Sequence, residues 1–210
     1  MNKIKSNLQN MVLVLTGSAL ICGGLLAYIN NLTKPTIDAQ ADKTLNEGIS
    51  LVLGGDAGER LEDPKSITRS IDGKEQTFMV YKMQNGTAVQ STDPNGFGGN
   101  LKVLVGFNAN GDILGYTVLE HAETPGLGAK AGDWFQEGQP GSIIGLNPAN
   151  ANLTVSKDGG DIDAITASTI TSRSFLRAVQ QAYNTLSEDK EPQTGATVQT
   201  KCTNSDNNNE

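Results

Sequence analysis

Residues 101–120 carry the pattern that decides the fold: LKVLVGF at 101–107, NANGD at 108–112 and ILGYTVLE at 113–120. The first and last of these segments are rich in apolar and β-branched residues, which favour strands. The segment between them contains asparagine and glycine, which favour a turn. The sequence therefore predicts two antiparallel strands joined by a short connection.

A second predicted hairpin lies upstream of this pair. Residues 78–83 are predicted to form one strand, Asn85-Gly86 is a strong hairpin dipeptide, and residues 88–91 are predicted to form the next strand. A glycine-rich turn, NGFGG at 95–99, then leads into the strand at 101. Antiparallel hairpins with helices before and after them predict an α+β domain.

Helical periodicity marks the two ends of this domain. Pro35 suits the first turn of a helix, which is predicted to end at Gly54-Gly55. Residues 124–148 contain glycine and proline throughout and predict loops or short helices. The late helix is marked by an apolar stripe at helical spacing, formed by Phe175, Leu176, Val179, Ala182, Tyr183 and Leu186.

The N-terminal region has the features of a membrane anchor. No residue from 6 to 33 is charged, and residues 11–29 (MVLVLTGSALICGGLLAYI) are mostly aliphatic. A helix of that length spans about 28 Å, close to the ~30 Å hydrocarbon core of a bilayer. A cleaved signal peptide is the alternative, since Lys3 and Lys5 would form its basic region.

We expect a retained single span rather than a cleaved leader. Residues 1–10 would then be cytoplasmic, because Lys3 and Lys5 favour that side. Residues 30–186 would form one domain outside the cytoplasmic membrane. The polar, asparagine-rich residues 187–210 are predicted to be a disordered tail.

Charge and composition exclude several classes of function. The chain has 16 Lys and Arg against 23 Asp and Glu, a net charge of −7, and the 180 residues after position 30 hold 14 of the positive and all 23 of the negative groups. Such acidity argues against nucleic-acid binding. With one histidine and two cysteines, Cys22 and Cys202, neither a multi-histidine metal site nor an iron–sulfur cluster is expected.

A hydroxyl-rich stretch opens the late helix. Residues 161–173 read DIDAITASTITSR, and five of them carry hydroxyl groups: Thr166, Ser168, Thr169, Thr171 and Ser172. The simplest interpretation is a helix N-cap, which serine and threonine favour. The same position can bind a phosphate, because free amides and the positive end of the helix dipole converge there and Arg173 could add a charge.

A second distinctive stretch is LEHAETPGLGAK at 119–130. It can be a plain turn, with Pro125 and Gly126 at its centre. Its glycines would also let a flat ligand approach the backbone, with Glu123 and His121 orienting the polar edges of that ligand. A single histidine such as His121 is more often a structural or surface residue.

Together these stretches resemble the FMN-binding domain family of the Rnf and Nqr membrane complexes. The family pattern is D-x-x-[ST]-G-A-T, and residues 163–169 of this chain read DAITAST, with Ala167 in place of glycine and Ser168 in place of alanine. Residues 96–107 (GFGGNLKVLVGF) and 118–128 (VLEHAETPGLG) also resemble the family, as does the single anchor. The resemblance extends from about residue 1 to residue 186, and the short chain is more similar to the Rnf type.

The resemblance implies a covalent flavin and a role in electron transfer. FMN would be esterified through its phosphate to Thr169, and no separate catalytic residue or metal site is implied. The implied partners are integral-membrane and iron–sulfur subunits of an ion-pumping ferredoxin:NAD⁺ oxidoreductase, and a flavin transferase during maturation. The residues predicted to lie around the flavin are Thr166, Ala167, Ser168, Glu123, Thr124, Pro125, Gly126, Leu127 and Gly128.

Two other functions remain open from the residues alone. A stand-alone anchored FMN reductase would use the same flavin on a small molecule. A flavin-free sensor or ligand-binding module would use the hydroxyl cluster only as a helix cap.

Overall fold

A computed structural model describes residues 8–55, 57–71 and 73–190. It contains an N-terminal helix, an antiparallel sheet and a C-terminal helix, with short helical turns between the last strand and that helix. The elements are α1 (Leu8–Val52), β1 (Lys65–Ile71), β2 (Lys74–Met83), β3 (Gly86–Asp93), β4 (Leu101–Phe107), β5 (Ile113–His121), α2 (Ala131–Trp134) and α3 (Thr169–Lys190), with 3₁₀ turns at Gly128–Lys130 and Ser156–Asp158.

The sheet is a simple meander in the order β1-β2-β3-β4-β5, with every neighbouring pair antiparallel. The four predicted strands are confirmed as β2 to β5. Strand β1 was not predicted. It forms one edge of the sheet, and each of its residues is exposed or half-buried. The α+β class is confirmed.

Helix α1 corrects one prediction. A new helix was expected to begin at Pro35, but the backbone is helical from Leu8 through Val52 without a break. A proline inside a helix removes one hydrogen bond and bends the helix without having to end it. The predicted span 11–29 lies within Asn10–Lys34, which is long and apolar enough to cross a membrane and is not buried in the protein.

The two faces of the sheet are covered by different helices. The last turns of α1 pack on one face, where Ile49, Val52 and Leu53 contact Ala88 and Leu104 in a small apolar cluster. This packing is close, since a Cβ added at Gly106 or Gly115 would lie 2.2 or 3.0 Å from the Val52 carbonyl oxygen. Glycine is needed at Gly106 for the helix to approach the strands, and a side chain at Gly115 would make a tight contact with the helix.

Helix α3 covers the opposite face and forms the main core. Phe175 of α3 stacks on Phe135 with ring centroids 4.3 Å apart and meets Tyr116 edge-on at 4.7 Å. The Tyr116 hydroxyl donates to the Ala131 carbonyl oxygen at 2.8 Å, and burial raises its pKa. The predicted apolar stripe of α3 is confirmed, with Tyr183 its least buried member.

The C-terminal boundary of the domain also differs from the prediction. Helix α3 continues past residue 186 to Lys190 although its last turn is polar. The carboxylate of Asp189 is paired with Lys65 and Lys82, so charge pairs hold this turn against β1 and β2. The remainder of the predicted tail, residues 191–210, lies outside the described residues.

Candidate functional site

A cavity of about 330 Å³ opens where three separate segments of the chain meet at one end of the sheet. These segments are the glycine-rich loop after β3, the turn after β5 and the start of α3. The lining residues are Phe97, Glu123, Thr124, Leu127, Gly128, Ala167, Ser168, Thr169 and Ile170.

Most of the predicted flavin-site residues therefore meet at this cavity, although they come from stretches more than 35 positions apart. Thr166, Pro125 and Gly126 belong to the same two stretches but do not line it. Phe97 and Ile170 line it and were not predicted as site residues. Both are large, exposed apolar side chains, at 68 % and 49 % exposure, which is the signal that marks a binding surface once the fold is known.

The two glycines of the turn at 123–128 have different roles. Gly126 has a positive φ of 78° with open space around it, so it shapes the turn only. Gly128 allows close packing, since a Cβ there would lie 2.4 Å from Glu123 Oε2 and 2.7 Å from Thr171 Oγ1. The close backbone approach therefore occurs at Gly128, and its neighbours are protein side chains.

The glycine-rich loop packs directly on this turn. A Cβ at Gly98 would lie 2.0 Å from the carbonyl oxygen of Ala122, so only glycine fits. The Gly98 N–H donates to Glu123 Oε1 at 3.2 Å. This loop in turn presents Phe97 at the mouth of the cavity.

Glu123 is the residue at which all three segments meet. Its side chain is 6 % exposed, and its Oε2 accepts a hydrogen bond from Thr171 Oγ1 of α3 at 2.7 Å. With the Gly98 N–H on the other oxygen, the carboxylate links the loop, the turn and the helix. His121 lies beside this arrangement rather than in it, because its Nδ1 accepts from the Glu123 N–H at 3.2 Å and the residue does not line the cavity.

The start of α3 is fixed by its own hydrogen bonds. Ser172 Oγ accepts from the Ile165 N–H at 2.9 Å and donates to the Ser168 carbonyl oxygen at 3.0 Å, which ties residues 165–168 to the first turn. Ala167 has a φ of 60°, the left-handed region that alanine rarely adopts. Thr169 is the first residue of α3.

The hydroxyl groups of this stretch have different partners. Thr171 and Ser168 are buried and bonded to each other, with Thr171 also bonded to Glu123. Thr169 is half-buried and lines the cavity, and within the described parts of the chain its Oγ1 receives one long contact, 3.4 Å from Lys157 Nζ. Of the hydroxyl groups in this stretch, that of Thr169 is therefore the most available to a ligand in the cavity.

The sequence suggested that Arg173 could add a positive charge to the phosphate site, but Arg173 does not line the cavity. Its guanidinium forms two hydrogen bonds to Asp158, at 2.6 and 2.8 Å, outside the lining residues. These bonds hold the pKa of Asp158 below its usual value. The positive charge that contacts Thr169 is instead the ammonium group of Lys157, at 3.4 Å.

Comparison with known protein families identifies the class of domain first. The family model of the FMN-binding domain matches residues 96–184, which include all three segments around the cavity. A second model, the RnfG N-terminal region, matches residues 1–50. The chain thus combines an N-terminal apolar helix with an FMN-binding domain.

Curated relatives extend over most of the chain. The G subunit of the ion-translocating oxidoreductase complex of Shewanella piezotolerans is 32% identical over 199 residues, covering 89% of this chain and 92% of that protein. The corresponding G subunits of Vibrio atlanticus and Salmonella typhi are 34% and 36% identical, covering 91% and 76% of this chain and 94% and 81% of those proteins. This chain belongs to the family formed by the G subunits of ion-translocating oxidoreductase complexes.

Proposed function

We propose that this chain is a membrane-anchored electron-transfer subunit whose FMN is esterified through its phosphate to Thr169. The observation that carries the proposal is the position of the Thr169 hydroxyl, which lies in the cavity of the FMN-binding domain at the N-terminus of α3. A helix N-terminus favours a phosphate through its free amides and its dipole.

The neighbouring hydroxyl groups support the choice of Thr169. Thr171 and Ser168 are committed to buried hydrogen bonds, and Thr166 does not line the cavity. Lys157 lies close enough to Thr169 to form an ion pair with a phosphodiester on that residue. These contacts leave one accessible threonine in the position that the family motif assigns.

The cavity also has a suitable character for the rest of the flavin. Its volume of about 330 Å³ falls in the usual range for small-ligand pockets, and its rim is apolar, formed by Phe97, Leu127 and Ile170. Flat aromatic rings are held by such side chains. When bound, FMN supplies the one- and two-electron redox chemistry, and the protein fixes its position and environment.

Attachment requires an activated flavin donor. Direct condensation of threonine with FMN would expel water and is unfavourable in aqueous solution. With a flavin dinucleotide, the bond between Thr169 Oγ1 and phosphorus forms as the phosphoanhydride bond breaks. The hydroxyl proton passes to a base and a nucleoside monophosphate leaves, so a flavin transferase is the proposed partner in maturation.

The route of α1 supports a position of the cavity on the membrane side of the domain. The Val52 carbonyl packs against Gly106 and Gly115, whereas Gln40, nearer to the span, shares a surface groove with Glu120 at the end of β5. Following α1 back to the span therefore leads along β5 toward the turn at 123–128. This arrangement supports electron exchange with integral-membrane and iron–sulfur subunits of a ferredoxin:NAD⁺ oxidoreductase complex.

We also propose the topology and the domain limits. Lys3 and Lys5 favour a cytoplasmic N-terminus, which would leave the domain on the outer side of the membrane. Residues 1–10 would be cytoplasmic and the span would cross the bilayer. The FMN-binding domain would then begin at about residue 30.

Replacement of Thr169 tests the attachment. We expect Thr169→Ala, coexpressed with the flavin transferase, to lose all covalent flavin. The other hydroxyl groups of residues 166–172 are buried or lie outside the cavity, and Thr124, which also lines it, is not at the N-terminus of α3. Thr169→Ser keeps the nucleophile and should retain part of it. Thr68→Ala, in the distant strand β1, is the matched control and should be fully loaded. In-gel flavin fluorescence retained by the alanine variant at Thr169 would contradict the assignment.

A further inference from the structure

Ser168 occupies the N-cap position of α3 without capping the helix through its side chain. It precedes the first helical residue, and its carbonyl oxygen accepts from the Ser172 N–H at 3.0 Å. A serine at this position ordinarily uses its hydroxyl oxygen to accept from an amide of the first turn. Here the Ser168 hydroxyl donates to Thr171 Oγ1 at 2.9 Å, and no first-turn amide of the described chain donates to the lone pairs of its oxygen. The hydrogen bond to Thr171 thus holds the Ser168 side chain in a position that does not cap the helix.

The carboxylate of Glu123 fixes the direction of this hydrogen bond. A carboxylate only accepts, so the Thr171 hydroxyl must donate its single hydrogen to Glu123 Oε2, at 2.7 Å. Thr171 Oγ1 can then only accept from Ser168. The three side chains of Glu123, Thr171 and Ser168, which are 6 %, 0 % and 8 % exposed, form a buried relay from Ser168 through Thr171 to Glu123.

Because Ser168 does not cap the helix, backbone N–H groups in the first turn of α3 are left without an acceptor among the described residues. Among the described residues, no protein atom accepts a hydrogen bond from the backbone N–H of Thr169, Ile170 or Thr171. Thr169 and Ile170 also line the cavity. Three donors at the positive end of the 22-residue helix are thus available to an anion.

We infer that Glu123, acting through Thr171, is a positioning residue that prevents Ser168 from capping α3 and so keeps these amides free for the phosphate of the flavin nucleotide. The identity of the phosphate rests on the proposed function. Ser168 stands where the family pattern has alanine, and alanine has no hydroxyl to compete with a phosphate. The relay therefore removes a competitor that this chain carries.

Hydrogen exchange of single amides tests the relay without any flavin. The full chain in detergent is compared as wild type, Thr171→Val and Thr171→Ser by NMR. Valine has the shape of threonine but cannot bond Ser168, so the freed hydroxyl should cap the helix. Exchange of the Ile170 amide, whose own and preceding side chains are unchanged, should then slow roughly fivefold, which corresponds to the ~1 kcal/mol of an ordinary N-cap. Thr171→Ser keeps the hydroxyl and should exchange like the wild type.

The direction of the change separates positioning from simple support. If Thr171 only stabilised the helix, Thr171→Val would loosen the first turn and its amides would exchange at the same rate or faster. Either result would overturn the inference. Asp93→Asn is the control for a lost buried carboxylate, since Asp93 accepts from Ser174 at 2.8 Å and Arg177 at 3.0 Å further along the same helix. Asp93→Asn should lower the unfolding midpoint without slowing hydrogen exchange of the first-turn amides.

Flavin attachment provides the second measurement. With flavin transferase and flavin dinucleotide, Thr171→Val should be flavinylated roughly fivefold more slowly, judged by intact mass, and Asp93→Asn at the wild-type rate. The double variant Thr171→Val/Ser168→Ala has no hydroxyl left to cap the helix and should recover toward the wild-type rate. A double variant as slow as Thr171→Val, or slower, would contradict the relay. Failure of the wild type to attach flavin would contradict the proposed function, while the exchange result would still decide on the relay.

Discussion

Ala167 is held in a backbone conformation that suits glycine. Its φ of 60° costs an L-residue about 1 kcal/mol or more relative to glycine, and no other non-glycine residue of the described chain has a positive φ. The residue lies between Thr166 and Ser168, beside the proposed attachment site. The strain is tolerated because the hydrogen bonds of Ser172 to residues 165 and 168 hold both sides of the turn.

Ala167→Gly is expected to stabilise the protein. Relief of the strain should exceed the extra chain entropy of glycine in the unfolded state, for a net gain of about 0.5–1 kcal/mol in the free energy of unfolding. The measurement is urea unfolding in detergent, followed by the fluorescence of the single tryptophan, Trp134. Ala149→Gly, at an exposed turn position with ordinary φ, is the control and should be neutral or destabilising. A lower stability for Ala167→Gly would show that the turn is not strained.

At the scale of elements, the polar end of α3 depends on a charge cluster. Burial raises the pKa of Asp189, but hydrogen bonds from Lys65 and Lys82 outweigh it and the net shift is downward. A carboxyl group with a lowered pKa contributes stability above its unfolded pKa of about 3.9 and loses that contribution as the pH falls through the folded value. The cluster should therefore hold α3 on β1 and β2 at neutral pH and fail in acid.

Asp189→Asn should cost about 1–2 kcal/mol of unfolding free energy at pH 7. The difference from the wild type should shrink as the pH is lowered below about 4, where the wild-type carboxylate also becomes protonated. Unfolding curves at a series of pH values provide the test, with Glu137→Gln, an exposed carboxylate, as the control. A stability difference that stays constant from pH 7 to pH 3 would mean that the charge of Asp189 contributes nothing.

The elements differ in how far the sequence predicts them. Strands β2 to β5 follow from apolar segments divided by asparagine–glycine turns. Strand β1 was missed because only Ile67 and Ile71 are apolar in KSITRSI, and an edge strand buries little. The continuity of α1 through Pro35 was missed because proline normally marks the start of a helix.

The candidate site also has parts that the sequence predicts and parts that it does not. The resemblance drew attention to the turn at 123–128 and the stretch at 166–169, and residues of both line one cavity. Residue spacing alone could not bring them together, because 48 positions separate Glu123 from Thr171 and their contact depends on the packing of α3 across the sheet. The direction of the hydroxyl relay depends on side-chain conformations and has no sequence signal.

At the scale of the whole molecule, α1 joins the membrane span to the domain as one helix. The same helix runs from Asn10–Lys34, the apolar part, to Val52 beneath the sheet. The cavity opens at the end of the sheet from which α1 leaves toward the span. On the proposed membrane topology, the apolar rim formed by Phe97, Leu127 and Ile170 would face the membrane side of the domain.

The proposed orientation predicts which natural cysteine reacts in intact cells. A membrane-impermeant maleimide should modify Cys202, in the C-terminal segment, and spare Cys22, which lies in the span. Cys202→Ser should abolish labelling. Modification of Cys202 only after the cells are opened would reverse the orientation, and a mature chain that begins after residue 29 would favour a cleaved signal peptide.

The central claim, a phosphoester between FMN and Thr169, is tested most directly by peptide mass mapping of the wild-type chain purified from membranes that contain its complex. The account predicts that one peptide gains the mass of FMN less water and that fragmentation places this mass on Thr169. Attachment at Thr166, Ser168 or Thr171, or an intact chain that carries no added mass, would contradict it.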